Sequence, residues 1–183
     1  QDKQNPKDLL TQLQKEIDKL IDIEVPNTNK IFIDSLSNSR VILPILGEPN
    51  DSFIKNNSKP KLRVLAKGND PRDYIYKYKN KITSLEQINN AASGIGSISL
   101  IPGIDGIIRK MPVLYNIDNS IWPSIALETI RVATKQKNIL VKTNDNGIEL
   151  IKTRKNIIPS DQNAVINIKF RNFNKDNYIS AVD

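Results

Sequence analysis

Leu9, Leu10, Leu13, Ile17, Leu20 and Ile21 recur at spacings of three and four, with Lys7, Gln14, Lys15 and Asp18 between them. That period gathers the apolar set on one face of a helix of about four turns. Asn5-Pro6 followed by Asp8 supplies a cap, a preset first backbone angle and an acid in the first turn, and Pro26 ends the region. Fewer than three heptads are present, so the pattern predicts a helix packed on a sheet in preference to a signalling coiled coil. Ile31, Phe32 and Leu36 predict a second, short helix. Arg40-Val41-Ile42-Leu43-Pro44-Ile45-Leu46 is a nearly continuous apolar run between Asn38-Ser39 and Gly47-Glu48-Pro49-Asn50, the mark of a strand covered on both faces.

Residues 47–80 are polar, lysine-rich and broken by Pro49, Pro60, Gly68 and Pro71, which predicts a long excursion over the surface. Within it Tyr74, Tyr76 and Tyr78 alternate with Ile75, Lys77 and Lys79, a short strand whose aromatic row covers apolar surface in preference to binding a sugar or an anion. Ser84 with Gln87 three residues on has capping-box spacing for a helix over Leu85, Ile88 and Ala91-Ala92, stopped by Gly94. Ile95 to Ile101 reads as a strand in which Gly96 lets another backbone come close. Pro102-Gly103 and Asp105-Gly106 are turns, and Ile107 to Tyr115 is long enough for the next strand. Trp122-Pro123-Ser124 opens a helix to about Ala133, with Pro123 in its first turn, Glu128 as an exposed acid, and Ile125, Ala126, Ile130 and Ala133 as its packing face. Ile139-Leu140-Val141 and Ile148-Glu149-Leu150-Ile151 flank Asn144-Asp145-Asn146-Gly147, a hairpin signal, and Val165 to Arg171 and Tyr178 to Val182 are further strands. The fold class is α/β, one domain with a mixed β-sheet flanked by helices; α+β with segregated hairpins is the alternative.

Composition removes whole classes of chemistry. The chain has no cysteine and no histidine, which excludes thiolate and Ser-His-Asp catalysis, imidazole zinc sites and imidazole pH switches within it. A net charge of +7 raises the question of nucleic acid, but the cations form two diffuse groups, Lys55, Lys59, Lys61, Arg63 and Lys67, then Lys142, Lys152, Arg154 and Lys155, with few aromatics interleaved. A solvated basic face is the expectation, with no nucleic-acid partner. No window reaches the roughly 18 apolar residues of a membrane span, and the first residues lack the apolar run of a signal peptide.

Three segments carry a further pattern: Gly94-Ile95-Gly96-Ser97-Ile98; Asp105-Gly106-Ile107-Ile108-Arg109-Lys110-Met111-Pro112-Val113-Leu114-Tyr115; and Trp122-Pro123-Ser124-Ile125-Ala126-Leu127. In that order they resemble the second type of CHASE domain, the cyclase/histidine-kinase-associated sensory extracellular domains. Ile158-Pro159-Ser160-Asp161, the strand ending at Phe170-Arg171, and Ile179-Ser180-Ala181-Val182-Asp183 are similar to the family's later elements, and Val41-Ile42-Leu43 to an early one. The family's opening isoleucine-aspartate strand, its D-x-L-F strand end and its closing glycine-bearing strand have no counterpart in these 183 residues. The resemblance therefore implies a single sensory domain over 1–183 that lacks its first strands and its last.

It also implies a periplasmic loop of an inner-membrane receptor, with flanking membrane spans and a cytoplasmic output domain. A nucleotide cyclase such as an adenylate cyclase is the preferred output, over a histidine kinase or serine/threonine kinase. A homodimer and an unknown small-molecule or protein signal are the expected partners, and no cofactor, metal or catalytic residue is assigned. Candidate signal-sensing or motif positions are Asp105, Gly106, Arg109, Pro112, Trp122, Pro123 and Ser124. Asp105 and Arg109 read either as an anion or metal contact or as a turn aspartate with its anchoring arginine, the second favoured. Trp122 reads as a core anchor ahead of a ligand stack. Two other functions compete: a hydrolase using carboxylates alone, such as Asp105 with Asp161 or Glu128, and a non-enzymatic binding module for an acidic partner or the membrane surface.

Overall fold

The computed structural model describes residues 10–15, 27–50, 57–154 and 156–177. Of the predicted N-terminal helix only residues 10–15 fall within them; these are helical, with Leu10 and Leu13 exposed. The rest of that helix and the predicted strand from Tyr178 lie outside the described residues.

Helix α1 (Thr28–Ser37) begins where Asn27 Oδ1 accepts from the Lys30 amide at 3.1 Å. Strands β1 (Ile42–Glu48), β2 (Arg63–Lys67), β3 (Tyr76–Tyr78) and β4 (Asn80–Thr83) follow, then α2 (Glu86–Ala91) and β5 (Gly94–Ser97). Next come β6 (Lys110–Pro112), β7 (Leu114–Ile117), β8 (Ser120–Pro123), α3 (Ile125–Ala133), β9 (Asn138–Asn144), β10 (Gly147–Lys152), β11 (Ile157–Ile158) and β12 (Val165–Asn167). Three sheets are mixed, as expected for the fold class. In β4-β1-β5, β1 runs antiparallel to β4 and parallel to β5; in β11-β10-β9-β2 and β3-β7-β8 one parallel pair likewise joins antiparallel neighbours. The fourth sheet is the two-stranded β12-β6.

Strand β7 is buried on both faces and separates two cores. Leu114 packs with Leu127, Ile139, Val141, Ile148 and Ile151, beneath the four-stranded sheet. Tyr115 and Ile117 point the other way, to Ile45, Ile95 and Trp122. Tyr78 covers this second core, with its ring where a side chain at Gly47 would have to stand. Tyr74 packs against the first core, so two of the three tyrosines cover apolar surface as expected, and Tyr76 is exposed.

Several elements differ from the sequence reading, each for a local reason. The run at 40–46 is not covered on both faces: Ile45 is buried, whereas Leu46 on the other face is 39% exposed. Within the predicted surface excursion of 47–80, the described residues 57–80 are part of the fold, because β2 pairs with β9 and both Leu62 and Ile75 are buried. Ser84 does not cap α2; the N-cap position falls on Leu85 without a side-chain bond, and the Ser84 carbonyl is instead taken by Asn89 Nδ2 at 2.9 Å. The predicted strand 107–115 breaks at Val113 into β6 and β7, which lie in different sheets, because the Val113 amide donates to Ala164 and its carbonyl accepts from Ser124. The hairpin at Asn144–Gly147 forms as expected, with Asn144 opposite Gly147.

Candidate functional site

The sequence candidates separate into a buried joint and an exposed turn. At the joint, β8 runs directly into α3. Pro123 is the last residue of the strand and not part of the helix, so its fixed angle serves extended backbone. Ser124 is the N-cap: its Oγ accepts from the Leu127 amide at 3.2 Å, and its own amide donates to the Val113 carbonyl at 2.8 Å. Trp122 is fully buried and donates its indole N–H to the Ile117 carbonyl at 3.2 Å, which makes it the expected core anchor. Pro112, also buried, stands opposite Val165.

Strand β5 reaches this joint because it carries glycines. An added Cβ at Gly96 would lie 2.5 Å from the Ile125 Cα, so the close backbone approach expected there does occur, between β5 and the start of α3. Gly94 does not stop α2, whose C-cap is Ala92; a Cβ on Gly94 would lie 2.6 Å from Glu128 Oε1.

Glu128 overturns the expected exposed acid. It is fully buried, on the face that α3 turns inward with Leu127, while Ala126, Ile130 and Ala133 of the expected packing face are exposed. Its Oε1 accepts from the Ile95 amide at 3.2 Å and from Arg131 Nη2 at 2.8 Å, and its Oε2 from Arg131 Nε at 2.7 Å. Arg131 also donates to the carbonyls of Ser93 (2.9 Å) and Gln136 (3.0 Å). Lys61 stands nearby and donates to the carbonyls of Asn90 and Ala92 at the end of α2. Its ammonium pKa is pushed down, chiefly by burial and then by the Arg131 charge, against an opposing pull from Glu128. One ion pair thus ties α3, β5 and the loop before it. Sequence reasoning missed it, although two signals were present: an acid and an arginine three apart on one helix, and a strand with two glycines.

At the turn, the Gly106 amide donates to the Gly103 carbonyl at 2.9 Å and Gly106 has φ +76°, a conformation that only glycine adopts freely. Asp105 accepts from the Ile107 amide at 3.1 Å and takes a two-pronged contact from Arg109, Oδ1 to Nη1 at 2.9 Å and Oδ2 to Nη2 at 2.7 Å. That guanidinium and the amide hold the Asp105 carboxyl below the usual aspartate range. The pair forms although residues 107–109 are not in a strand, so turn geometry, not strand alternation, brings the two side chains together. Beside the turn Ile101, Ile104, Ile107, Arg109 and Pro112 line a mainly apolar hollow of about 400 Å³.

Asp105, Glu128 and Asp161, the acids considered for catalysis, each have committed partners. Asp161 Oδ1 accepts from the amides of Asn163 (2.9 Å) and Val165 (2.8 Å). The hollow beside the turn is lined by no carboxylate, Asp105 included. Among the described residues no helix is long and apolar enough to cross a membrane.

Comparison with known protein families matches residues 2–183 to the CHASE2 domain. No curated protein and no solved structure matches the chain. With the match spanning nearly every residue, and the glycine strand, Asp105 turn and Trp122-Pro123-Ser124 joint in the expected order, the chain belongs to the CHASE2 domain family of sensory extracellular domains.

Proposed function

We propose that this sensory domain sits on the outer face of a bacterial inner membrane and relays a signal through flanking spans to a cytoplasmic output domain, a nucleotide cyclase ahead of a kinase. The observation that carries the reading is the family match over 2–183. The site chemistry is in keeping with it: Asp105, Glu128 and Asp161, the acids considered for catalysis, are each held by an arginine or by backbone amides. The relay is a population shift between two arrangements of a homodimer. A signal biases that equilibrium only by binding one arrangement more tightly than the other.

The test is an immunoblot of fractionated source cells with an antibody to this domain, with protease added before and after the outer envelope is opened. A membrane-bound band far heavier than the 183 residues alone, cut once protease reaches the outer face of the inner membrane, is the expected result. A soluble band of the size of these 183 residues overturns the reading.

A further inference from the structure

The solvent side of the four-stranded sheet carries more apolar surface than an exposed sheet face needs. Leu65 of β2, Leu140 of β9, Lys152 of β10 and Ile157 of β11 lie in one register row across it, and both Leu65 and Ile157 are exposed. The chain leaving α3 rises beside this row, and a cleft of about 810 Å³ forms with Leu65 and Leu140 at its floor. Lys135, Lys137, Lys152 and Arg154 line it, and no Asp or Glu does. Among the described residues none of these four cations has a carboxylate within ion-pair distance, whereas Lys142, two residues along β9 from Leu140, is paired with Glu149. Arg40 joins Lys135 and Lys137 around an adjoining hollow.

Folding creates this concentration of charge. Lys135 and Lys137 follow α3, whereas Lys152 and Arg154 lie at and just beyond the end of β10, and the β9–β10 pairing brings the two stretches to one cleft by setting Lys152 opposite Leu140. Unpaired cations beside a low-dielectric apolar floor repel one another, and an anion placed among them relieves that repulsion. The floor in turn favours an apolar body next to the anionic head. A volume of about 810 Å³ lies within the range of small-molecule sites, roughly 300–1,000 Å³. The cleft wall also reaches the buried joint: the Arg154 amide donates to Gln136 Oε1 at 3.2 Å, and the Gln136 carbonyl accepts from Arg131.

We propose that this cleft binds a small amphiphilic anion, with a phosphate or carboxylate head between Lys137 and Arg154 and an apolar body on Leu65 and Leu140. The proposal deepens the sensory reading, on which it rests for its biological meaning, by naming the chemical class of the signal.

The experiment is calorimetric titration of the 183-residue chain with octyl phosphate below its micelle concentration, with inorganic phosphate, and with phosphatidylglycerol vesicles. Octyl phosphate is expected to saturate one site and to bind more tightly than inorganic phosphate, by roughly tenfold for every two methylenes that the floor covers. Lys137→Glu with Arg154→Glu is expected to weaken octyl phosphate about tenfold or more. Leu65→Ser is expected to remove the advantage of the octyl chain and leave inorganic phosphate unchanged. Emission from the single, buried Trp122 reports that each variant is folded. Equal affinity for the two phosphates, binding indifferent to the double charge reversal, or association with vesicles alone overturns the proposal. Any of these leaves the sensory reading intact, because membrane topology tests that separately.

Discussion

Two carboxylate–arginine pairs, nearly identical in chemistry, play opposite parts in this molecule. Asp105 and Arg109 meet in a two-pronged contact on an open turn, with about half of each side chain exposed (49% and 57%). Glu128 and Arg131 make a similar contact with the carboxylate fully buried and the guanidinium nearly so. In water the first pair gains little, since solvent and salt screen it and both side chains lose freedom on pairing. The second replaces lost hydration with hydrogen bonds to Ile95, Ser93 and Gln136. Its partners lie on separate segments, so losing one charge undoes a junction and not just a contact. Spacing of three or four along the chain is therefore a poor guide to importance; what surrounds the pair decides.

The largest expected effect follows from breaking the buried pair on one side only. Glu128→Ala leaves the Arg131 guanidinium buried without its counter-ion and removes the acceptor for the Ile95 amide. The expected loss is about 3–5 kcal/mol, read from urea unfolding followed by Trp122 emission. Replacing both partners, Glu128→Leu with Arg131→Met, is expected to recover much of that loss, because two apolar side chains leave no orphaned charge. A double variant as unstable as the single one would show that the pair's hydrogen bonds to backbone, not its charges, hold the joint.

Next comes the approach that lets β5 reach the pair. Gly96→Ala places a methyl 2.5 Å from the Ile125 Cα, where backbone and not a flexible side chain must give way. The expected cost is about 1–3 kcal/mol by the same measurement. Ser124→Ala removes the cap of α3 and is expected to cost about 1 kcal/mol. If either change proved silent, the joint would be looser than its contacts imply, and its contrast with the turn would shrink.

Legibility in the sequence followed the same divide. Local signals were readable: the turn at Asp105-Gly106 and the hairpin at Asn144–Gly147 depend on a few adjacent residues, and residue type alone marked Trp122 for the core and Gly96 for a close approach without naming the partner. What was not readable came from pairings between distant segments. Strand β2 looked like loop because its partner β9 begins more than seventy residues later. Glu128 looked exposed because its hydrophilicity was read without the glycine, Gly94, that makes room for it or the arginine that neutralises it. The cation cleft was invisible for the same reason: Lys137, just before β9, and Lys152, at the end of β10, come to line one cavity only through the pairing of those two strands.

The smallest effect belongs to the exposed pair, and pH is the way to isolate it. The Asp105 carboxyl is held below the usual aspartate range first by the Arg109 guanidinium and then by the Ile107 amide. Its folded pKa is thus depressed relative to the unfolded chain. Whatever it adds to stability is fully present above the ordinary aspartate range and disappears as pH falls through the lowered folded value. Carboxyl NMR titration should show a midpoint below that of an ordinary aspartate, with the Ile107 amide resonance shifting over the same interval as its acceptor is protonated. Asp105→Asn should leave the urea midpoint at neutral pH nearly unchanged while abolishing that amide titration. A large loss of stability in Asp105→Asn would mean that the turn holds its neighbours as firmly as Glu128 holds the joint, and that burial is not what separates the two pairs.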